Sequence, residues 1–456
     1  MFELREAFAW IGSGRLVGDG ATVVNGVCTD TRALEPGCLF VALRGETYDA
    51  HDFVADAVQG GARAVLVERS IPGLRAPALI VADARRALGE IAAGWRRRFT
   101  LPLIAITGSN GKTTVKEMVA SILAARFGEA ARLSTAGNLN NDIGVPLTVL
   151  RLRATHRAAV VELGMNRPGE IATLAAIAQA TVALVNNAQR EHQEFMHSVE
   201  ATARENGAAI AALPVDGVAV FPGDEPHAGI WRGLAGRRER IEFGLDAACA
   251  VRAAPGASPD DFEIDVAGAR ARVRLAIAGA HNVRNALAAA ACAHALGIGV
   301  DDIAGGLNGF RPVRGRLAQL ACASGATLID DSYNANPDSV RAAIDTLAAF
   351  QGPRILVLGD MAEVGAEGPQ YHREVGEYAA LRGIDRLLLL GEASRDTKAA
   401  FGERAEHFDD AAAISARALE LAQPPATVLV KGSRAMRMER VVAALVRRAD
   451  AAVGAH

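Results

Sequence analysis

The sequence has 456 residues, of which 22% are charged and 50% are hydrophobic, and its formal net charge is −3. This length predicts about three domains, and the composition is typical of a globular protein with well-filled cores. The nearly balanced charge argues against a nucleic-acid partner.

The sequence shows no pattern typical of a signal peptide, a membrane-spanning segment or a cysteine-based site. Charged residues appear from Glu3 onward, which does not fit a signal peptide. The most apolar stretch, residues 285–300, contains His294 and is too short to span a bilayer. The five cysteines are scattered without a CxxC pair, so neither a zinc site nor a disulfide framework is predicted. We therefore expect a cytoplasmic protein with no transmembrane segment, and we expect it to be a monomer.

Residues 1–85 predict a small α/β domain. Strand patterns cover residues 22–28, 38–43 and 64–68, and a helical pattern covers residues 53–59. Two polar clusters, residues 29–32 and 44–52, lie between these elements. Turn chemistry explains both clusters, and contact with a sugar or a diphosphate is the functional alternative.

Residues 86–312 predict a central domain with a parallel sheet, because strand and helix patterns alternate after a predicted helix at residues 83–99. Its main feature is the segment IAITGSNGKTT, residues 104–114, in which a buried strand, a glycine-bounded turn and a helix follow each other. This order predicts a phosphate-binding loop, with Lys112 reaching the β- and γ-phosphates and the Thr113 hydroxyl holding Mg²⁺. The spacing is shorter than in a Walker A loop, because Ile106 stands where the first glycine belongs. A tight strand–helix turn with an incidental lysine is the alternative.

Two further strands of this domain end in polar residues. Residues 158–161 lead to Glu162, and residues 181–185 lead to a loop that contains His192. Because parallel strands place ligands at their carboxyl ends, both side chains are expected at the same edge as the phosphate loop. Both are candidate Mg²⁺ ligands or water-mediated partners, and ordinary surface positions are the alternative.

The remaining predicted elements of the central domain begin with strands at residues 218–221 and 240–243. Residues 262–266 and 271–275 alternate in the manner of antiparallel strands. An alanine-rich helix then opens near Asn282 and Asn285, which either cap it or face a purine base.

Residues 313–456 predict a third, doubly wound α/β domain behind a hinge at 311–316 (RPVRGR). Three of its strand ends are polar, which is typical of a ligand-binding edge. The predicted strands are residues 327–329, 355–358, 386–390, 407–408 and 427–430, and the polar ends are residues 330–337, 359–363 and 431–434. With no GxSxG nucleophile elbow in the sequence, phosphoryl transfer is the chemistry that these parts favour.

Along nearly its whole length the chain resembles the Mur ligases of peptidoglycan synthesis. The resemblance rests on the segments TGSNGKTT, GNLNNDIGVP, ELGMNRPGEI, HNVRNALAAAA, DDSYNANPDS, VLGDMAEVG and VLVKGSRAMRMERVV. It implies a small amino-terminal α/β substrate domain, a central ATPase domain and a carboxyl-terminal Rossmann-like domain. The segments DDSYNANPDS, GDMAE and KGSR are similar to those of the family member that has D-alanyl-D-alanine as a substrate.

The resemblance implies an ATP- and Mg²⁺-dependent amide ligase. ATP would phosphorylate the terminal carboxylate of UDP-N-acetylmuramoyl-tripeptide, and the amine of D-alanyl-D-alanine would attack the acyl phosphate. The implied catalytic residues are Lys112, Glu162 and His192, and the implied metal ligands are Thr113, Glu162 and His192. The implied ATP site comprises Thr107, Gly108, Ser109, Asn110, Gly111, Lys112, Thr113, Thr114, Asn282, Asn285, Arg316 and Asp331. The implied substrate contacts are Thr31, Arg32, Arg44, Gly45 and His51 for the UDP part, and Tyr333, Asn334 and Asn336 in the closed site.

The sequence departs from the family pattern at a few positions. Many Mur ligases have a carbamylated lysine that helps to bind a second Mg²⁺, and Asn206 stands at that position here. Glu205 is not an obvious substitute, because adjacent helical residues point about 100° apart. The loop around His192 also differs, and Ala50 replaces the usual glycine before His51.

Two other functions remain open from the sequence. The first is a sister amide ligase, either another Mur ligase or a folylpolyglutamate synthase, against which residues 330–339 argue. The second is a nucleotide-binding regulatory protein with degenerate chemistry.

Overall fold

The computed structural model describes residues 1–254, 258 and 260–446. In these residues three open sheets of five, nine and six strands follow each other along the chain, together with a two-stranded ribbon. The predicted fold class is confirmed, with a small amino-terminal α/β domain, a central parallel α/β domain and a carboxyl-terminal doubly wound domain. None of the described helices is both long and apolar enough to cross a membrane.

The amino-terminal sheet has the strand order β2-β7-β6-β5-β4, and all of its pairs except β2–β7 are parallel. The strand expected at residues 22–28 is two strands, because the turn-forming residues Asn25 and Gly26 interrupt it. Its first half pairs with β1, and its second half joins the main sheet. The elements are β1 (Phe2–Glu3), α1 (Leu4–Ile11), β2 (Arg15–Val17), β3 (Val23–Val24), β4 (Val27–Cys28), β5 (Leu39–Val41), α2 (Val54–Gln59), β6 (Ala64–Val67), β7 (Ala78–Ile80) and α3 (Ala84–Arg96).

The central sheet has the order β16-β15-β14-β13-β12-β11-β8-β10-β9, and only the two pairs that involve β15 are antiparallel. Strand β8, which lies between β11 and β10, is buried at every residue, as expected for a strand covered on both faces. The strands are β8 (Leu103–Thr107), β9 (Arg132–Ser134), β10 (Ala158–Glu162), β11 (Val182–Val185), β12 (Val218–Pro222), β13 (Glu239–Gly244), β14 (Val251–Ala253), β15 (Asp261–Val266) and β16 (Ala269–Arg274). The helices are α4 (Lys112–Phe127), α5 (Gly144–Val149), α6 (Glu170–Ala178), α7 (Gln193–Met196), α8 (Val199–Ala211), α9 (Ala228–Ala235), α10 (Ala280–His294) and α11 (Val300–Gly309).

The carboxyl-terminal sheet has the order β17-β18-β22-β19-β20-β21, in which only β17–β18 is antiparallel. The strands are β17 (Ala318–Ala321), β18 (Thr327–Asp331), β19 (Arg354–Gly359), β20 (Arg386–Leu390), β21 (Ala405–Phe408) and β22 (Thr427–Lys431). The helices are α12 (Pro337–Ala348), α13 (Gly368–Leu381), α14 (Ser394–Phe401), α15 (Ala411–Leu421) and α16 (Glu439–Val446).

Helix α4, which follows the phosphate loop, packs against α10 and α11. The contact with α11 is close at Gly306, where an added Cβ would lie 2.4 Å from the Cα of Ile122. The Ser121 hydroxyl also donates a hydrogen bond to the Gly306 carbonyl, at 2.7 Å. A residue without a side chain is therefore needed at this crossing.

This packing predicts different effects for two neighbouring glycines of α11. We expect Gly306→Ala to lower the free energy of unfolding by about 1–3 kcal/mol, because the new methyl group overpacks a backbone contact. Gly305→Ala is the matched control, since a Cβ there meets open space, and its better helix propensity should be neutral or stabilising by up to ~1 kcal/mol. Chemical denaturation of both variants measures the difference, and equal effects would contradict the packing argument.

Candidate active site

The predicted phosphate loop connects β8 to α4 and has two glycines with positive φ. Gly108 has φ 132° and Gly111 has φ 80°, a region that glycine reaches at no steric cost. A Cβ on Gly111 would lie 2.5 Å from Asn285 Oδ1, so the turn also has no room for a side chain. The loop can therefore present its backbone N–H groups at the amino terminus of α4, where the helix dipole favours an anion.

Lys112 is held inside this loop by oxygen acceptors. Its Nζ donates to the carbonyls of Gly108 at 2.6 Å and Ser109 at 3.1 Å. It also pairs with Glu191 Oε1 at 3.0 Å, and both side chains are nearly buried. Glu191 was not among the predicted site residues, and its one sequence feature was its place beside His192 in a strand-end loop.

Glu162 lies beside the phosphate loop because β10 pairs with β8, with Glu162 opposite Ile106. Its Oε1 accepts hydrogen bonds from Thr113 Oγ1 at 3.2 Å and from Asn140 Nδ2 at 2.7 Å. Its Oε2 is buried and has no partner among the described residues. A buried carboxylate oxygen without a donor is costly, and its place next to a hydroxyl oxygen fits a hard cation such as Mg²⁺.

His192 lies between two carboxylates on the same side of the cavity. Its Nδ1 is 2.6 Å from Glu363 Oε2, and its Nε2 is 3.6 Å from Glu191 Oε1. The contact with His192 lowers the pKa of the Glu363 carboxyl. The backbone of His192 has φ 51°, which few residues other than glycine adopt. The ring therefore lies against a carboxylate of the carboxyl-terminal domain, and metal binding by its Nδ1 requires Glu363 to move away.

Asn206 and Glu205 both lie in α8 and serve other parts of the central domain. Asn206 is fully buried beneath the phosphate loop, where its Oδ1 accepts from Thr107 Oγ1 at 2.6 Å and from Gly108 N at 3.1 Å. Glu205 accepts from the backbone N–H groups of Gly169 and Ile171, both at 2.9 Å, and so caps the start of α6. Neither side chain takes the place of the carbamylated lysine as a second carboxylate ligand.

A chain of amides runs along the other side of the loop. Asn186 Nδ2 donates to Asn285 Oδ1 at 3.0 Å, and Asn285 Nδ2 donates to Asn282 Oδ1 at 2.9 Å. These three residues line a cavity of about 150 Å³, with Phe243 and Ile277 as apolar walls. An apolar slot with amides at its edge can hold a flat heterocycle.

Two titratable groups border this smaller cavity. Burial lowers the pKa of His281 to about 4, so its imidazole is neutral. Burial also raises the pKa of Glu225 to about 7. Glu225 was not predicted as a site residue, and nothing in the local sequence distinguishes it from a surface glutamate.

Arg316 connects the hinge with the phosphate loop. Its guanidinium stacks 3.9 Å from the ring centroid of Tyr333, and its Nη2 lies 3.4 Å from Thr113 Oγ1. Stacking on an aromatic face leaves the N–H groups of an arginine free to bind phosphate oxygens.

The carboxyl-terminal domain brings two further groups to the loop. Asp331 accepts a hydrogen bond from Lys431 Nζ at 2.6 Å, and that ammonium also donates to the Asn334 carbonyl at 2.9 Å. Burial raises the pKa of the Asp331 carboxyl, and the Lys431 charge opposes this rise. Asn336 Nδ2 donates to Asn110 Oδ1 at 2.9 Å, so the tip of the phosphate loop touches the opposite domain.

Most of the groups around the phosphate loop border one large cavity of about 910 Å³, whereas Asp331 and the amide chain line the smaller one. Its walls come from the central and carboxyl-terminal domains, and Glu46 and Arg85 of the amino-terminal domain also line it. The predicted residues that line it are Ser109, Asn110, Gly111, Lys112, Thr113, Glu162, His192, Arg316, Tyr333, Asn334 and Asn336. Among the described residues, no three His, Cys, Asp or Glu side chains form a ready-made metal cluster.

The predicted contacts of the amino-terminal domain do not line this cavity. These residues are Thr31, Arg32, Arg44, Gly45 and His51. The His51 side chain is buried, with Nδ1 2.5 Å from Asp49 Oδ1 and Nε2 accepting from Glu68 N at 2.8 Å. The imidazole therefore organises its own domain. Its predicted substrate contact stays a prediction, and this position does not favour it.

The comparisons with known proteins agree with this architecture. Family models match three successive regions: the Mur ligase family catalytic domain at residues 23–96, the Mur ligase middle domain at 106–293, and the Mur ligase glutamate ligase domain at 315–434. The UDP-N-acetylmuramoyl-tripeptide–D-alanyl-D-alanine ligase of Escherichia coli (strain K12) is 44% identical over 439 residues, which cover 95% of this chain and 96% of the relative.

Solved structures of such ligases superpose along most of the chain. MurF from Acinetobacter baumannii matches with a TM-score of 0.89 and 34% identity, covering 98% of both chains. MurF from Thermotoga maritima in complex with ADP matches with a TM-score of 0.83 and 26% identity, covering 93% of this chain and 98% of that one. The chain therefore belongs to the Mur ligase family, on the branch of the UDP-N-acetylmuramoyl-tripeptide–D-alanyl-D-alanine ligases.

Proposed function

We propose that this chain joins D-alanyl-D-alanine to UDP-N-acetylmuramoyl-tripeptide at the expense of ATP, giving UDP-N-acetylmuramoyl-pentapeptide, ADP and phosphate. The observation that carries the proposal is the convergence of Lys112, Glu162 and residues 333–336 on one cavity of about 910 Å³. The 44% identity to an enzyme of this name over 95% of the chain supports the same substrates. The reaction is a step in peptidoglycan precursor synthesis, which we place in the cytoplasm.

The reaction has two chemical steps. A carboxylate oxygen of the tripeptide attacks the γ-phosphorus of ATP, ADP leaves, and an acyl phosphate forms. The amine of D-alanyl-D-alanine then adds to the acyl carbon and gives a tetrahedral intermediate. This intermediate expels phosphate and loses a proton from nitrogen, which leaves the amide. Both steps build negative charge on oxygens that the protein has to stabilise.

The phosphate loop and Lys112 supply most of that stabilisation. The N–H groups of residues 108–114 cradle the phosphates at the start of α4, and the ammonium of Lys112 follows the transferred phosphoryl group. In the structure this ammonium is paired with Glu191. Binding of ATP therefore exchanges one anionic partner of Lys112 for another.

A magnesium ion fits beside Glu162 and Thr113. One unpartnered carboxylate oxygen and one hydroxyl are a typical protein share of a Mg²⁺ site, since phosphate oxygens and water complete the shell. When bound, the ion would neutralise charge on the β- and γ-phosphates. His192 is a further candidate for this site once it leaves Glu363.

The remaining assignments follow the resemblance to Mur ligases, and the position of several groups around the loop supports them. We assign adenine to the slot of Asn282 and Asn285, ribose to Asp331, and phosphate oxygens to Arg316. We assign the acceptor side of the large cavity to Tyr333, Asn334 and Asn336. The resemblance to Mur ligases alone assigns the amino-terminal domain, residues 1–85, to the UDP moiety through Thr31, Arg32, Arg44, Gly45 and His51. Of these, His51 is the least supported, because both of its ring nitrogens are used within the domain. The central and carboxyl-terminal domains comprise residues 86–312 and 313–456.

Phosphate release from ATP tests the proposed reaction directly. We expect release only when UDP-N-acetylmuramoyl-tripeptide and D-alanyl-D-alanine are both present, because each step needs its own nucleophile. Single free amino acids in place of the dipeptide test for a sister ligase. Hydrolysis that ignores both omissions, or no release with any acceptor, would overturn the proposal.

The role of Lys112 predicts a large loss when its charge is removed. We expect Lys112→Ala to lower kcat by about 10²–10³-fold, the usual effect of removing one preorganised group that stabilises transition-state charge. Lys398→Ala is the control, because that lysine lies exposed on α14. A kcat of Lys112→Ala within twofold of the unaltered chain would contradict the assignment.

The unpartnered oxygen of Glu162 predicts a change in metal requirement. We expect Glu162→Gln to raise the Mg²⁺ concentration for half-maximal activity at least ~10-fold, because an amide is a weaker ligand than a carboxylate. Calorimetry of ADP binding with and without Mg²⁺ gives a readout independent of turnover, and the Mg²⁺ enhancement should shrink in the variant. Glu200→Gln, at an exposed position of α8, is the control. An unchanged Mg²⁺ dependence in both assays would remove Glu162 from the metal site.

A further inference from the structure

One short segment, Gln189–His192, touches both the phosphate loop and the opposite domain, and we name it the bridging loop. It follows β11, the strand next to the phosphate-loop strand β8. On the side of the phosphate loop, Gln189 Oε1 accepts from Asn110 Nδ2 at 2.6 Å. Glu191 pairs with Lys112 at 3.0 Å. The bridging loop therefore contacts both the tip and the lysine of the phosphate loop.

On its other side the bridging loop contacts the carboxyl-terminal domain through Arg190. The guanidinium makes forked pairs with two carboxylates, reaching Asp338 Oδ1 at 2.6 Å and Glu374 Oε2 at 2.7 Å. The backbone N–H of Arg190 also donates to Asp338 Oδ2 at 2.9 Å. The guanidinium lies 5.1 Å from the ring centroid of Tyr371. Three side chains of the opposite domain, Asp338, Glu374 and Tyr371, thus converge on Arg190.

The pairing is electrostatically stronger than a surface ion pair. The side chain of Arg190 is 20% exposed, and the pairing lowers the pKa of Glu374 to about 2. A planar guanidinium can make forked, two-bond pairs with two carboxylates at once, and an ammonium lacks this geometry. Removing one partner of such a half-buried cluster leaves the other charges uncompensated.

The position of Asp338 shows which part of the carboxyl-terminal domain Arg190 holds in place. Asp338 is in the first turn of α12, and Asn336 caps that helix. The same Asn336 exchanges amide hydrogen bonds with Asn110 at the tip of the phosphate loop. Arg190 therefore fixes the end of α12 that contacts the phosphate loop.

We propose that Arg190 is a positioning residue for the ligase reaction, which holds the carboxyl-terminal domain docked so that Asn336 reaches the phosphate loop. This inference rests on the proposed function for its kinetic consequence only. Arg190, which holds the carboxyl-terminal domain, is followed directly by Glu191, which pairs with Lys112. The residue that must release Lys112 when a nucleotide binds is therefore adjacent in sequence to the residue that holds the domain. Occupation of the phosphate loop and docking of the domain are thereby linked through the backbone of the bridging loop.

The test compares Arg190→Ala and Arg190→Lys with the matched control Arg341→Ala. Arg341 pairs with the same Glu374 at 2.7 Å but lies in α12, within the carboxyl-terminal domain, so its loss leaves the contact between domains intact. One readout is the radius of gyration from X-ray scattering with a non-hydrolysable ATP analogue and Mg²⁺. The other is kcat/KM for D-alanyl-D-alanine.

We expect Arg190→Ala to have a larger radius of gyration and a kcat/KM about 10- to 100-fold lower, the range of typical coupling between two sites. Arg190→Lys should lie between, because it keeps the charge and loses the forked pairs, and Arg341→Ala should match the unaltered chain. Thermal unfolding shows whether Arg190→Ala remains folded, and if it does not, Arg190→Lys decides.

The proposal is overturned if a folded Arg190→Ala, or Arg190→Lys where the alanine variant is unfolded, keeps the radius and kcat/KM of the unaltered chain. It is also overturned if Arg341→Ala loses as much as Arg190→Ala. Absence of any ligase activity in the unaltered chain would instead refute the proposed function, and the scattering comparison would still decide the role of Arg190.

Discussion

The site depends on a loop that has to bind a highly charged anion and remain folded without it. An empty cradle of N–H groups next to a lysine would have unbalanced positive potential in a partly dry cavity. Here the balance comes from Glu191, which neutralises Lys112, and from two loop carbonyls that accept from the same ammonium. These partners spare the protein most of the desolvation cost of a free lysine.

The parallel register of the central sheet brings the remaining groups to that loop. With β10 and β11 on either side of β8, the residues that follow each strand emerge within one or two strand spacings of the phosphates. The hinge residue Arg316 and the strand-end residues of the third domain approach from the opposite side. A cavity lined by residues of two domains can close on its substrates by rotation of one domain, and closure would exclude water from the acyl phosphate.

The spacing of apolar residues was enough to predict the fold and to identify the polar residues at the ends of the strands. Glu162 follows a run of apolar residues, and Gly108 and Gly111 bound a turn, so both were predictable from local sequence. The interruption at Asn25 and Gly26 was missed because the flanking valines have the pattern of one continuous strand.

Side-chain partnerships were not predictable in the same way. Lys112 and Glu191 are 79 residues apart, and Arg190 and Asp338 are 148 residues apart. Pairs at such separations depend on how whole domains dock, and no local pattern encodes docking. His51 is a similar case, since only the fold shows that its two nitrogens are used by Asp49 and Glu68.

The departure at Asn206 becomes understandable from its neighbours. Its Oδ1 accepts from Thr107 Oγ1 and Gly108 N, so the position beneath the loop needs an acceptor that stays buried. An uncharged amide meets this need without a covalent modification, whereas a free lysine would bring an ammonium, which has no lone pair, into a dry site. Negative charge near the loop is instead carried by Glu191, which pairs with Lys112, and by Glu162, which accepts from Thr113. The charge around the phosphates can therefore be balanced even though Asn206 is not a metal ligand and instead accepts hydrogen bonds from the phosphate loop.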